Sequence, residues 1–238
     1  IMIVLFENQR DIAKQLSEAG VANVISGQGF TPSALAEAVL ELAESPDNRI
    51  EMSRRALLVA DGLGARRTAL TISPVRTVAG ESVCLRPAIL EDAAMMLDWQ
   101  SHPETRRHFR TPRIPDAKEH ARWIREKLAT PDCLLNIVTL DRKPAGVLRL
   151  DRVVDGSSHG PAYEVSILIA PEFNKRGIGR AALDTIRKLV PEVRLLAEVN
   201  PANTASAALF TSAGFSRQSE ARFALDAQQN MTVNQVQE

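Results

Sequence analysis

The segment with the clearest chemical character runs from Asn174 to Arg180. It reads Asn174-Lys175-Arg176-Gly177-Ile178-Gly179-Arg180 and follows a strand-like run, residues 163–170, and a turn at Pro171. The first backbone N–H groups of a helix lack intrahelical partners and bind phosphate well, and glycine lets a ligand approach the backbone closely. The pattern therefore predicts a phosphate-binding turn at a helix start. Glycines selected by close packing of a helix on a sheet are the alternative.

A second segment lies about 20 residues downstream and has the sequence Asn203-Thr204-Ala205-Ser206-Ala207-Ala208-Leu209-Phe210-Thr211-Ser212-Ala213-Gly214-Phe215. Asn203 is a typical helix N-cap, and Gly214 is a typical helix end. The pattern predicts a strand, then a helix beginning at Asn203, beside the first segment.

Together the two segments resemble the Arg/Gln-x-x-Gly-x-Gly/Ala turn and the Asn-x-x-Ser-x-x-Leu-Phe/Tyr-x-x-x-Gly-Phe helix of the GNAT acetyltransferase superfamily. Leu85-Arg86-Pro87-Ala88 and Glu91-Asp92-Ala93 resemble its opening strand and helix, so the resemblance covers residues 81–225. It implies the GNAT fold, an α/β fold with a mixed, mostly antiparallel sheet flanked by helices, and acetyl-coenzyme A as the cofactor.

The resemblance also implies which residues contact the cofactor. Gly177 and Gly179 hold the pyrophosphate within the cradle formed by Asn174, Lys175, Arg176, Gly177, Ile178, Gly179 and Arg180. Asn203 and Ser206 bind the pantetheine arm, and the backbone N–H of Leu168 or Ile169 faces the thioester. Asn174 stands where the family usually has Arg or Gln. Phe210, also assigned to the cofactor site, stands where many members have a tyrosine that acts as the general acid.

Glu164 is the candidate catalytic residue. Acetyl transfer to an amine needs a base to deprotonate it, and strand alternation places Glu164, Ser166 and Leu168 on one face. A solvated or ion-paired strand carboxylate is the alternative interpretation of Glu164. No general acid is evident from the sequence.

The segments Trp99-Gln100-Ser101-His102-Pro103-Glu104-Thr105-Arg106 and His120-Ala121-Arg122-Trp123 resemble a pattern of GNAT enzymes that acetylate amino groups on nucleotide-linked sugars. The resemblance implies a substrate site at Trp99, His102, Arg106, His120 and Trp123. The alternative is two ordinary helices that bury tryptophan against the sheet, with the histidines at surface or packing positions.

Residues 1–72 alternate strand and helix signals, which predicts a partial Rossmann-like βαβα segment, followed by a linker at residues 73–80. The segments Glu7-Asn8-Gln9, Val24-Ile25-Ser26-Gly27 and Asp61-Gly62-Leu63-Gly64 resemble the C-terminal end of the GT-B-like nucleotide-sugar hydrolase of the pseudaminic acid pathway. An acetyltransferase acts just before this hydrolase. The resemblance therefore implies a UDP-linked 4-amino sugar as the acceptor, with no hydrolase activity expected from so small a part of that enzyme.

Composition favours an ordinary soluble protein, because hydrophobic residues make up 45% and charged residues 24%, with Lys+Arg and Asp+Glu equal at 29 each. We expect a cytoplasmic monomer or homodimer with no metal, nucleic-acid or membrane site, with Cys84 and Cys133 as buried thiols, and with a polar tail at residues 226–238. A protein N-terminal acetyltransferase and a catalytically weak coenzyme A-binding module remain alternative functions.

Overall fold

The computed structural model describes residues 1–109, 111, 113–154 and 161–228. It contains two compact units, Ile1–Gly62 and Leu63–Glu238. The division after Gly62 differs from the predicted one after residue 72, because residues 64–72 form a helix that packs within the second unit. Residues 229–238 of the predicted polar tail lie outside the described residues. No helix in the described part of the chain is long and apolar enough to cross a membrane.

The first unit begins with the predicted βαβα order. Its elements are β1 (Met2–Val4), α1 (Arg10–Glu18), β2 (Val24–Ser26), α2 (Pro32–Glu44) and α3 (Pro46–Val59). The strands β1 and β2 pair in parallel, with Ile3 opposite Ile25. Thr31 caps α2 by accepting the N–H of Ala34 at 3.0 Å, and Pro32 occupies the first turn, where no N–H partner is needed. A parallel pair joined by a helix is the Rossmann-like unit that the hydrophobic pattern predicts.

The second unit is built around an eight-stranded mixed sheet with the order β3-β4-β5-β6-β7-β8-β10-β9, and among its described strands only β7 and β8 pair in parallel. Its strands are β3 (Val75–Arg76), β4 (Ser82–Pro87), β5 (Cys133–Leu140), β6 (Lys143–Val153), β7 (Ala162–Ile169), β8 (Arg194–Glu198), β9 (Ser216–Arg217) and β10 (Arg222–Leu225). Its helices are α4 (Gly64–Ile72), α5 (Ala93–Ser101), α6 (Pro103–Arg106), α7 (Ala117–Leu128), α8 (Ile178–Leu189) and α9 (Thr204–Ser212).

Two hydrophobic clusters cover the two faces of this sheet. The helix α8 buries Ile178, Ala182 and Ile186 against one face, at the spacing that places side chains on one side of a helix. The helices α5 and α7 bury Met96 and Ile124 against the other face. The central strands are therefore covered on both faces, by α8 on one and by the α5–α7 pair on the other.

The described residues also contain short strands that the sequence interpretation did not predict. The predicted linker contributes β3, and residues 216–225, for which no strands were predicted, form β9 and β10. Strands of two to four residues are too short to show a clear alternation of polar and apolar residues.

Candidate functional site

The turn between β7 and α8 exposes a row of backbone donors. Within the described residues, the N–H of Asn174 bonds to Pro171 O at 3.2 Å, and the next backbone bond is from the N–H of Ala181 to Gly177 O at 3.1 Å. No side chain caps α8 at Gly177. The N–H groups of residues 175–180 are therefore free to bind an anion.

The two glycines of this turn have different roles. Gly177 has a φ of +76° and open space where a Cβ would lie, so its backbone conformation, and not crowding, favours glycine. A Cβ on Gly179 would lie 3.1 Å from Leu209 Cδ2 and 3.7 Å from Ile169 Cγ1. The absence of a side chain at Gly179 therefore allows α8 to approach α9 and β7 closely.

The cations of the turn are only partly available. Arg176 forms an ion pair with Glu81, and its Cζ lies 5.4 Å from the centroid of the Phe173 ring. Arg180 pairs with Asp184 at 2.9 Å. Lys175 has no partner among the described residues, and it adopts a left-handed φ of +62°. Asn174 is exposed. Backbone N–H groups and the Lys175 ammonium therefore dominate the positive potential here.

A gap opens in the middle of the sheet beside this turn. The register between β7 and β8 comprises three pairs, ending at Glu164 opposite Leu196, and no other strand of the described residues pairs with β7 on that side. Ala170 donates its N–H to Ala145 O, towards β6, at 2.9 Å. Because N–H directions alternate along a strand, Leu168 also directs its N–H towards β6, whereas Ile167 and Ile169 direct theirs into the gap.

The helix α9 follows β8 along the chain and packs against α8, with Leu209 beside Gly179. Asn203 Oδ1 accepts the N–H of Ser206 at 3.1 Å, so Asn203 is the N-cap and its amide nitrogen remains available. Phe210 is 3% exposed and packs with Phe215 and Phe223 in the core. The Phe210 ring therefore offers almost no surface to a ligand, and the expected contact between Phe210 and the cofactor finds no support in this position.

Glu164 lies on the sheet face that packs against α5 and α7. Val165 belongs to the α8-side core, so alternation directs Glu164, Ser166 and Leu168 to the opposite face. Glu164 is half-buried and stands directly opposite Asp151 of β6. The predicted polar face therefore exists, next to the end of the β7–β8 pairing.

The residues proposed for the acceptor divide into buried and exposed ones. Trp99 is 6% exposed and belongs to the core, so it cannot stack on a ligand. Arg106 donates to Thr111 O at 2.6 Å and also to Arg113 O, which commits its guanidinium to its own loop. The exposed His102 lines a cleft of about 300 Å³ with Asp98 and Glu172.

His120 is 4% exposed and joins α7 to α5, because its Nδ1 lies 2.7 Å from Gln100 Nε2. Burial lowers the pKa of His120, against a raising effect of the Ala93 backbone. Its ring stacks on Trp123 with centroids 5.7 Å apart. His120 is therefore a neutral packing residue, whereas the half-buried Trp123 keeps part of its surface available.

The sequence interpretation missed a polar cluster on this same face. Lys127 Nζ lies 2.6 Å from Asp151 Oδ1, and Arg149 Nε lies 2.5 Å from Asp151 Oδ2. The available signal was the alternation Leu148-Arg149-Leu150-Asp151 in β6, in which charged side chains occupy every second position of an otherwise apolar strand.

The strand β4 and the start of α5 are joined by an ion pair between the half-exposed Arg86 and the buried Asp92. Arg86 donates to both carboxylate oxygens of Asp92, at 2.7 and 2.8 Å, and Asp92 also accepts the N–H of Ile89 at 2.9 Å. Burial alone would raise the pKa of Asp92, but the bonds from Arg86 and Ile89 lower it. The entry of α5 is therefore held by three hydrogen bonds.

Solved structures with the same fold are numerous. Aminoglycoside acetyltransferase AAC(6')-Ib in complex with coenzyme A has 20% sequence identity and a TM-score of 0.52, over 61% of this chain and 95% of that chain. RimL, a ribosomal-protein acetyltransferase in complex with coenzyme A, has 12% identity and a TM-score of 0.53, over 61% and 94%. The GNAT domain of S. lividans PAT has 22% identity and a TM-score of 0.51, over 64% and 94%.

These likenesses show the fold, whose sheet and flanking helices agree with the predicted class. No curated protein matches the chain. The family model described as an acetyltransferase (GNAT) domain matches residues 82–216, which is more than half of the 238 residues. The chain therefore belongs to the GNAT acetyltransferase family.

Proposed function

We propose that this N-acetyltransferase uses acetyl-coenzyme A to acetylate the 4-amino group of a UDP-linked amino sugar. The observation that supports cofactor binding most strongly is the free N–H row of residues 175–180 beside the gap between β7 and β8. Coenzyme A combines a pyrophosphate with a narrow pantetheine arm. The donor row fits the first, and the strand gap fits the second, with the Asn203 amide as the side-chain group that we assign to the pantetheine arm.

The chemistry that acetyl-coenzyme A supplies is an acyl group activated as a thioester. In this proposal the N–H groups of Ile167 and Ile169 bind the oxygen that becomes negative during amine attack. Glu164 accepts the proton of the amine, directly or through one water, so that a neutral amine attacks. The C–N bond forms as the C–S bond breaks, the nitrogen releases its second proton to solvent, and the released thiolate takes a proton from solvent.

The acceptor class rests on two features. Trp123 and the polar groups of β6 and β7 form a half-buried surface next to Glu164, with donors and acceptors suited to sugar hydroxyl and amide groups. The resemblance of residues 1–72 to a nucleotide-sugar hydrolase supports fusion of two consecutive steps on one UDP-sugar. The parallel β1–β2 pair is compatible with that origin.

A cationic acceptor such as an aminoglycoside is the second candidate. The cleft beside α5 contains the carboxylates of Asp98 and Glu172, and these groups favour a positively charged amine. AAC(6')-Ib, which is similar in fold, is an aminoglycoside acetyltransferase. The acidic cleft is therefore the feature that a substrate comparison must test.

Release of coenzyme A thiol measures the acceptor class directly. We expect turnover with a UDP-linked 4-amino sugar and much weaker turnover with kanamycin or an N-terminal peptide. Turnover of the peptide or of kanamycin alone would refute the sugar-nucleotide assignment. Coenzyme A binding without thiol release on any amine would identify a binding module instead.

Two variants test the site itself. Glu164→Gln should lower kcat by about 10²- to 10⁴-fold, the range for a general base, with little change in coenzyme A affinity. Gly179→Trp should abolish coenzyme A binding, because an indole in place of the hydrogen would displace Leu209 and Ile169 beside the gap. Full activity of the first variant, or wild-type affinity of the second, would contradict the assigned roles.

A further inference from the structure

Arg149 occupies the centre of a polar chain on the face of the sheet that carries Glu164. Its Nε lies 2.5 Å from Asp151 Oδ2, and its Nη2 lies 3.4 Å from Ser166 Oγ on the neighbouring strand. Its Cζ lies 5.2 Å from the centroid of the Trp123 ring. Three neighbours from two strands and a helix therefore fix the plane of one guanidinium.

This guanidinium keeps unused donors. Its Nη1 has no acceptor among the described residues, and the side chain is 26% exposed, so these N–H groups can meet a ligand. A buried, fully bonded arginine would have a structural role only. The guanidinium of Arg149 is instead held through Nε and Nη2, while its Nη1 is open to a ligand.

Asp151 and Lys127 maintain that orientation. The Asp151 carboxylate bridges the two cations, with Lys127 Nζ at 2.6 Å. Burial alone would raise the pKa of Asp151, but hydrogen bonds and charge from Lys127 and Arg149 lower it below its ordinary value. Asp151 therefore stays ionised at neutral pH and acts as a positioning residue for Arg149.

The location is next to the proposed reaction site. Ser166, the partner of Arg149 across the strands, directly precedes Ile167, whose N–H points into the gap. Adjacent strands lie only about 4.8 Å apart. Arg149 is therefore one strand away from the residues that border the gap, on the face that carries Glu164.

The charges of the cluster indicate what kind of group it binds. Arg149 and Lys127 are matched by Asp151 and by Glu164, which stands opposite Asp151 in the strand register. The cluster has no excess positive charge, so an uncharged oxygen suits it better than a phosphate. A hydroxyl or an amide carbonyl accepts the N–H groups of a guanidinium well.

We infer that Arg149 is the acceptor-recognition residue of this enzyme, binding through Nη1 a neutral oxygen on the carbon next to the reacting amine. The inference rests on the proposed function, because it takes the α5–α7 face as the acceptor side. It deepens that proposal by assigning sugar recognition to β6, whereas Trp99, Arg106 and His120 are engaged in the fold.

Steady-state kinetics of Arg149→Gln, with the acceptor and acetyl-coenzyme A varied separately, test this role. We expect the KM for the UDP-linked 4-amino sugar to rise at least tenfold, the effect of losing a hydrogen bond to a charged group, and the KM for acetyl-coenzyme A to stay within twofold. Arg149→Lys should recover only part of the loss, because an ammonium lacks the planar fork. Arg152→Gln is the control, because Arg152 lies on the same strand as Arg149 but on the opposite face of the sheet, where it pairs with Asp132. This variant should leave both KM values unchanged.

An acceptor analogue that lacks the hydroxyl next to the amine makes the test specific. With this analogue, the acceptor KM of the wild-type enzyme should rise by the same factor as the KM of Arg149→Gln for the intact acceptor. The KM of the variant should be the same for the analogue and for the intact acceptor. Independent, additive losses would overturn the inference, as would an unchanged acceptor KM or an equal loss of coenzyme A affinity in Arg149→Gln. If wild-type enzyme acetylates only kanamycin or a peptide, the proposed acceptor is wrong. The same variants, measured on that acceptor, then decide the role of Arg149 separately.

Discussion

Substitution of Gly177 by alanine separates the anion-binding role of the turn from the stability of the domain. Gly177 has a φ of +76°, and a Cβ there would meet no atom within 4 Å, so the whole effect comes from the backbone. A non-glycine residue in this conformation costs about 1–2 kcal/mol. For a domain of this size, each kcal/mol lowers the melting temperature by about 2–4 °C. We expect a decrease of about 2–8 °C for Gly177→Ala.

The same substitution should weaken coenzyme A binding much more than stability. The alanine relieves part of this strain by moving φ away from +76°, which rotates the two peptide planes that meet at position 177, so the N–H groups of residues 177 and 178 turn away from the phosphate position. Loss of two charge-assisted hydrogen bonds at about 1.5 kcal/mol each amounts to about 3 kcal/mol. This corresponds to a Kd for coenzyme A roughly 100-fold higher.

Titration calorimetry with coenzyme A, combined with thermal unfolding of the free protein, measures both quantities. Gly214→Ala is the matched control, because Gly214 has a φ of +85° and its added Cβ would lie 3.9 Å from Leu225 Cδ1, an ordinary contact. This control should lower the melting temperature similarly and leave the Kd within twofold. Equal losses of affinity in the two variants, or unchanged affinity in Gly177→Ala, would refute the reasoning.

Substitutions at three further positions test the roles assigned to Asn203, Phe210 and His120. Asn203→Ala removes the cap of α9 and should cost about 1 kcal/mol in unfolding free energy, whereas Asn203→Asp should keep the cap; equal losses would contradict the role of Asn203 as N-cap. Phe210→Tyr should destabilise the domain by about 1–3 kcal/mol without raising kcat, because the hydroxyl enters a packed core, and a gain in kcat would show that the position reaches the reaction. His120→Gln should reduce the loss of stability on acidification. The unfolded chain binds a proton near pH 6.5 that the folded domain binds only at lower pH, so wild-type stability is full above that pH and falls below it. Chemical unfolding between pH 5 and pH 8 measures this slope, and an unchanged slope in His120→Gln, with exposed His102→Gln as the control, would exclude His120 as its source.

The sequence predicts the long elements of the second unit and the turn before α8. Glycine, asparagine and apolar spacing act locally there, so Gly177 and Asn203 mark the starts of α8 and α9 by their own conformational preferences. The glycine turn indicates a cofactor site only together with the second segment, because glycine serves backbone conformation at Gly177 and helix packing at Gly179. Which of the two applies depends on a neighbouring helix and is not visible in the local pattern.

Tertiary pairing explains what the sequence does not reveal. Trp99 and His120 have the residue types of a ligand site, yet contacts between α5 and α7 bury both. Leu168 and Ile169 are adjacent, and only the bond from Ala170 to Ala145 determines which of them faces the gap. Arg149 resembles any solvent-facing strand residue until Asp151, Ser166 and Trp123 are placed around it.

The early end of the β7–β8 pairing has a consequence for how this protein should be handled. The two halves of the sheet are joined by three register pairs between β7 and β8, so a ligand lying in the gap would add contacts between the two halves. Binding to the folded state alone adds about 2.7 kcal/mol at a ligand concentration of 100 Kd. Coenzyme A would then stabilise the folded domain as well as take part in the reaction, and the measured melting temperature would depend on the coenzyme A content of the sample.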